Sequence, residues 1–117
     1  MTTSPQIATG AFVRLADRLR LTNDEQATLL GVAPRTLDRI RAHQTSLDRN
    51  QLERLSHLIN IWEGAASFFG STDAGVEWLR NPNADFAESR PIDVMLAGNV
   101  ADLLTVRRYL DIARQGW

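Results

Sequence analysis

Apolar residues recur along this chain at steps of three and four, and nowhere alternate for long enough to make a useful strand. That pattern predicts an all-α fold. Ile7, Ala11, Phe12, Leu15 and Leu19 share one face of a helix over about residues 6–20, with Arg14, Asp17 and Arg18 on a solvated face opposite. Thr22-Asn23-Asp24-Glu25 places a hydroxyl at a helix cap and a carboxylate three residues on, a capping box that opens a short helix through Leu29-Leu30. Gly31-Val32-Ala33 is a tight turn. Pro34 starts a third helix to about His43, with no side-chain acceptor at Ala33 to cap it. Asp48 and Gln51 repeat the cap pattern and open a long helix to about Phe69. Leu52, Leu55, Ile59, Trp62, Ala66 and Phe69 form its seam, widened by Leu58 and Ala65.

Gly70-Ser71-Thr72-Asp73 ends the long helix and caps the next, which carries Val76, Trp78 and Leu79. Asn81-Pro82 stops that helix, because the residue before a proline is driven out of the α region. Pro91 occupies a favoured first helical position, with Asp93 in the first turn, and Gly98 provides the stop. Between them a short loop displays Phe86, Arg80 and Arg90. Asn99, with Asp102 three residues on, begins a last helix from Val100 to about Ala113. Val100, Leu103, Leu104, Leu110 and Ala113 face inward and Arg107-Arg108 lie on a more open side. Arg114-Gln115-Gly116-Trp117 form a short end. The length fits one domain, or one small domain with an appendage.

At 117 residues and 44% hydrophobic composition, the chain can bury a core without disulfides or metal. The absence of cysteine excludes a disulfide framework, a cysteine-based zinc site and a thiol nucleophile. The net charge of −1 gives no overall pull toward nucleic acid, but the charge is uneven. Residues 1–56 hold eight Arg against six acids, a net +2, and residues 57–117 hold five Arg against eight acids, a net −3. Every basic residue is Arg, so each cation offers planar, bidentate contacts. No apolar run reaches the length of a membrane span and the N-terminus lacks a signal pattern, so a cytoplasmic location is expected. His43 and His57 are the only histidines, without further ligands at a metal spacing, and no nucleophile, base or glycine-rich phosphate loop stands out. The chain is expected to bind rather than catalyse, with no metal and no cofactor.

Two surfaces are candidates for binding. Gln26-Ala27, Leu30-Gly31-Val32, Thr36-Leu37 and Ile40 have the spacing of a helix-turn-helix: small Ala27 at the helix crossing, Gly31 at the turn, Val32, Leu37 and Ile40 packing one helix on the other. The start of its second helix offers Arg35, Thr36 and Arg39 to DNA, with Arg41 and His43 near its end. Asp38 among them opposes phosphate, and the same pattern also serves a three-helix core that binds no DNA. The long-helix seam admits intramolecular packing or a homodimer anchored by Trp62 with Leu55 and Ile59. The second surface is the 78–98 stretch, where Trp78 is either core or interface and stands with Phe86 beside Arg80 and Arg90.

The helix-turn-helix spacing resembles the phage-repressor-like (Xre) motif. Together with Trp78-Leu79, Asn81-Pro82-Asn83, Phe86, Arg90-Pro91, Leu96 and Gly98, it closely resembles the Xre/MbcA/ParS family of antitoxins over nearly the whole chain, which implies an N-terminal Xre-like helix-turn-helix bundle, residues 1–60, and a small C-terminal helical toxin-binding domain, residues 61–117, joined by the long helix. The resemblance implies a cognate RES-domain toxin of ADP-ribosyltransferase-like fold, which degrades NAD or uses it to ADP-ribosylate a target. It implies that the antitoxin covers the NAD pocket, dimerises, and binds its own operator. On this resemblance Trp78, Arg80, Asn81, Pro82, Asn83, Phe86, Arg90 and Pro91 contact the toxin. Arg107, Arg108, Arg114, Gln115, Gly116 and Trp117 reach its active-site mouth. Many members carry a Gly-Gly pair after the position of Phe86, where this chain has Ala87-Glu88, so a less permissive loop is expected. The alternative is a stand-alone helix-turn-helix repressor whose C-terminal half dimerises or binds a ligand.

Overall fold

The computed structural model describes residues 5–116. Among these are seven α-helices and one 3-10 turn: α1 (Pro5–Arg18), α2 (Asn23–Leu30), α3 (Pro34–Arg41), α4 (Arg49–Phe69), α5 (Thr72–Arg80), the turn Ala84–Phe86, α6 (Pro91–Met95) and α7 (Val100–Gln115). The fold is all-α. The chain forms two compact units, Met1–Ser56 and His57–Trp117, so the division falls within α4. No helix among the described residues is long and apolar enough to cross a membrane.

In the first unit, local hydrogen bonds set the helix ends. Thr22 Oγ1 accepts from the Glu25 N–H at 3.1 Å while Glu25 Oε1 accepts from the Thr22 N–H at 2.8 Å. Asp48 and Gln51 make the same reciprocal pair at 2.8 and 2.9 Å. Three helices then end alike, with a left-handed residue just past the C-terminus: Arg20, Gly31 and His43, at φ 56°, 74° and 60°. Each stop carries a bond that spans six residues, from Leu21 N to Ala16 O, Val32 N to Ala27 O and Gln44 N to Arg39 O. The middle stop favours glycine on two grounds. Gly31 has positive φ, and a Cβ there would lie 2.7 Å from Arg54 Nε. The positive φ at His43 is why α3 ends at Arg41 rather than running on.

The core of this unit is Ala8, Phe12, Leu15, Ala16, Leu19, Leu21, Ala27, Leu29, Leu30, Leu37, Ile40, Leu47 and Leu55. The α1 stripe is centred one residue later than the apolar pattern indicates: Ala8 and Thr9 are buried, whereas Ile7 is 61% exposed. Buried Gln26 is satisfied at both ends, its Nε2 donating to Leu21 O at 3.0 Å and its Oε1 accepting from Arg41 Nη1 at 2.6 Å. Arg41 therefore ties α3 to α2.

The buried apolar residues of the second unit are Leu58, Ile61 and Ala65 of α4, with Val76, Leu79, Ile92, Met95, Leu103, Val106, Leu110 and Ala113. The buried stripe of α4 is thus Leu55, Leu58, Ile61 and Ala65: it runs along the Leu55, Leu58 and Ala65 side of the expected stripe and adds Ile61, rather than following Ile59, Trp62 and Ala66. Leu52 is 42% exposed, and Ile59, Trp62 and Ala66 are half-buried. Leu55, expected in a dimer seam, belongs to its own unit's core. Gly75 sets the α4–α5 crossing: a Cβ on it would stand 2.9 Å from the backbone of Ala65 and Ala66.

Gly75→Ala and Gly64→Ala are expected to move stability in opposite directions. Alanine gains about 1 kcal/mol over glycine in a helix interior, but at position 75 overpacking costs about 1–3 kcal/mol and wins. At position 64 the added Cβ meets Leu110 at 3.5 Å, an ordinary contact, so the gain survives. Denaturant titration of both variants, with near-ultraviolet circular dichroism as a probe, checks this. A Gly75→Ala protein more stable than wild type would contradict the close crossing.

Candidate functional site

The second unit gathers aromatic rings around Trp78, one turn beyond Gly75 on α5. Trp78 stacks on Phe69 of α4 (centroids 5.4 Å, planes at 29°) and on Tyr109 of α7 (5.6 Å, 21°). Phe86 closes the cluster, 5.0 Å from Tyr109 and edge-on to Trp78 at 6.0 Å. Phe68, 45% exposed, meets Phe69 edge-on at 4.9 Å. Each such pair contributes about 0.5–1.5 kcal/mol beyond the area it buries. The rings belong to α4, α5, the 83–89 loop and α7, so the cluster fastens all of them. Trp78 is half-buried, part of the core and part of the surface.

The loop that carries Phe86 starts where Asn81, extended at φ −107°, ends α5 before Pro82. Asn83 organises the turn. Its carbonyl accepts from Phe86 N at 2.9 Å and Glu88 N at 3.0 Å, its N–H donates to Ser89 O at 3.1 Å, and its side chain accepts from Asp85 N at 2.9 Å. The chain closes on itself only because Ala87 and Glu88 both take left-handed backbone, at φ 55° and 64°. The conformation that glycines would favour is therefore kept without them. That costs about 1–2 kcal/mol per residue. An opposing contribution comes from α7: the Tyr109 hydroxyl donates to Asp85 Oδ2 at 2.6 Å. Such a bond to a charged acceptor is worth about 1.5–3 kcal/mol. The Asp85 carboxylate, aided by desolvation, raises the Tyr109 pKa above the usual tyrosine value, while a bond from the Asn83 side chain pulls the other way.

Arg90 closes bidentately on Asp93, Nε to Oδ2 at 2.9 Å and Nη2 to Oδ1 at 2.7 Å, and its N–H donates to Oδ2 at 3.2 Å. Arg90 thus caps α6. The bond from its side chain, and then its backbone N–H and charge, hold the Asp93 pKa below the usual carboxylate range against desolvation, with a smaller contribution from the charge of Arg80. Arg80 is half-buried, Pro91 is buried, and Asn81 and Pro82 are exposed. Arg107 is not on an open side: half-buried, its Nη1 lies 2.9 Å from Nδ1 of buried His57. Arginine only donates, so that ring nitrogen accepts. Arg108, Arg114, Gln115 and Gly116 are exposed, and Asp111, Arg114 and Gln115 line an open depression. Trp117 lies outside the described residues.

In the first unit Arg35 and Arg39 are exposed on α3, with Asp38 also exposed and Thr36 half-buried. Ala33 gives α3 no side-chain cap and Pro34 follows it. Among the described residues no three His, Asp or Glu side chains converge as a metal site. Tyr109 and Asp85 are the functional candidates that the sequence pattern does not single out. The available signal is aromatic concentration: of eight aromatic residues, only Phe12 precedes residue 57.

The chain thus presents a helix-turn-helix unit followed by a helical unit that carries an aromatic-clamped loop. Residues 4–60 match the model of the antitoxin Xre-like helix-turn-helix domain, and residues 64–116 match that of the antitoxin Xre/MbcA/ParS C-terminal toxin-binding domain. The chain is also 39% identical over 107 residues to the uncharacterized protein y4oB of Sinorhizobium fredii (strain NBRC 101917 / NGR234), covering 91% of this chain and 83% of that one. The chain belongs to the Xre/MbcA/ParS antitoxin family: it is the antitoxin of a toxin–antitoxin pair, and its C-terminal half is a toxin-binding domain.

The Arg90–Asp93 pair sets a pH dependence with a definite sign. A depressed aspartate pKa adds stability at pH values above the ordinary value of about 4, and that stability is lost as pH falls through the lower folded-state value. Both side chains are largely exposed, so screening limits the effect to about 1 kcal/mol or less. Asp93→Asn should lower the thermal midpoint slightly at neutral pH, with the gap to wild type closing in acid. A gap unchanged by acid would contradict the charge-assisted cap.

Proposed function

We propose that this antitoxin neutralises a RES-domain toxin of ADP-ribosyltransferase-like fold, one that degrades NAD or uses it to ADP-ribosylate a target. In this reading it acts in the cytoplasm by covering the toxin's NAD pocket, without catalysis or a cofactor of its own. The observation that carries the reading is the match of residues 64–116 to a toxin-binding domain, in a unit whose loop is clamped by aromatic side chains. A surface held rigid before binding loses little conformational entropy on contact. Trp78, Arg80, Asn81, Pro82, Asn83, Phe86, Arg90 and Pro91 line or support the loop face that meets the toxin. Arg108, Arg114, Gln115 and Gly116, with Trp117, extend to the mouth of the NAD pocket, where arginine suits acidic or phosphate-binding surroundings. Arg107 supports them from its place against His57.

Autoregulation is the second part of the proposal. Arg35 and Arg39, exposed at the start of α3 with Thr36, suit phosphate and base edges of operator DNA. A homodimer would use the half-covered residues Ile59 and Trp62 of α4. The Trp62 Nε1 is buried with no hydrogen-bond partner among the described residues. The stand-alone repressor reading draws on the same α3 arginines and differs in where the essential contacts lie.

Growth rescue distinguishes the two. With the toxin co-expressed, Arg35→Ala/Arg39→Ala should protect cells as wild type does, while deletion of residues 114–117 should abolish protection at equal protein level. Full protection by the shortened protein would remove the tail from the mechanism. Loss of protection in the double arginine variant would favour the repressor reading.

A further inference from the structure

We propose that Tyr109 is the residue that positions the 83–89 loop for toxin contact, through its hydroxyl bond to Asp85 and its ring against Phe86. The proposal rests on the antitoxin reading and adds to it a residue outside the loop. The loop holds two successive non-glycine residues in left-handed backbone, Ala87 and Glu88. Left alone, such a segment relaxes toward ordinary backbone angles. Its own bonds through Asn83 and Ser89 close the turn but do not fix it to the rest of the unit. Tyr109 does so twice: its hydroxyl holds Asp85 at 2.6 Å and its ring lies 5.0 Å from that of Phe86. The same ring stacks on Trp78, so the loop is registered against α5 and α7 together.

A positioning role differs from direct contact in one respect: relieving the strain elsewhere should replace it. If the binding-competent loop is only partly populated, apparent affinity falls by the lost fraction. Tyr109→Phe keeps the ring and removes the hydroxyl, so the fold survives. The probe is the product of the reading frame adjacent to the antitoxin's own, with its binding followed by surface plasmon resonance. Tyr109→Phe should bind about tenfold more weakly, chiefly through slower association, the scale of one charge-assisted hydrogen bond. Adding Ala87→Gly and Glu88→Gly, which make left-handed backbone easy, should restore most of the affinity. In the free protein, the Phe86 ring and Ala87 methyl resonances of Tyr109→Phe should move toward unstructured values.

Resonances unchanged in Tyr109→Phe would overturn the positioning role. A weakened complex that the glycines do not rescue would overturn it in favour of direct contact by the hydroxyl. A loosened loop with unaltered toxin affinity would leave the tether standing but overturn the loop as toxin contact, and with it the reading beneath. The free-protein and complex measurements thus separate the two failures.

Discussion

The second unit depends on the close crossing of α4 and α5 at Gly75. With no side chain there, the α5 backbone comes against Ala65 and Ala66. Three residues on along each helix stand Trp78 and Phe69, and they stack. Move the helices apart by the thickness of a methyl group and that stack is lost. Tyr109 and Phe86 are arranged on Trp78 in turn, so the loop's position derives from the crossing. Because the cluster is shared by segments distant in sequence, a small change at the crossing reaches the surface that the toxin-binding domain presents.

The first unit works by local bonds. Reciprocal caps begin α2 and α4, and left-handed stops end α1, α2 and α3, so short helices are delimited despite their length. Gln26 and Arg41 then lock the two helices of the helix-turn-helix together. This use of Arg41 leaves Arg35 and Arg39 as the exposed cations of α3. Residues 1–56 carry a net +2 and residues 57–117 a net −3, so the two units differ in charge.

Features governed by neighbours three or four residues apart are legible in the amino-acid sequence: the Thr22–Glu25 and Asp48–Gln51 caps, the stop at Asn81-Pro82, and the start at Pro91. The family resemblance is legible for the same reason, since its residues lie close together along the chain. Helix faces are legible to within one register. Ile7 and Leu52 fit an apolar period but stand exposed, because a repeat of three and four permits two adjacent stripes and only packing selects one. The Arg107–His57 pair and the Tyr109–Asp85 bond span 50 and 24 residues, and nothing local announces either. The left-handed backbone at Ala87 and Glu88 is hidden for a related reason: without glycine, only the surrounding contacts hold it.

Silencing of an NAD-using enzyme by complex formation is the central claim. The direct measurement is co-expression with the product of the adjacent reading frame, isolation by size-exclusion with light scattering, and assay of NAD consumption by the toxin alone and by the complex. The expected result is a stable complex in which NAD turnover is silent and returns when the antitoxin is removed. A toxin that co-purifies yet still consumes NAD, or one that never associates with this chain, would contradict it.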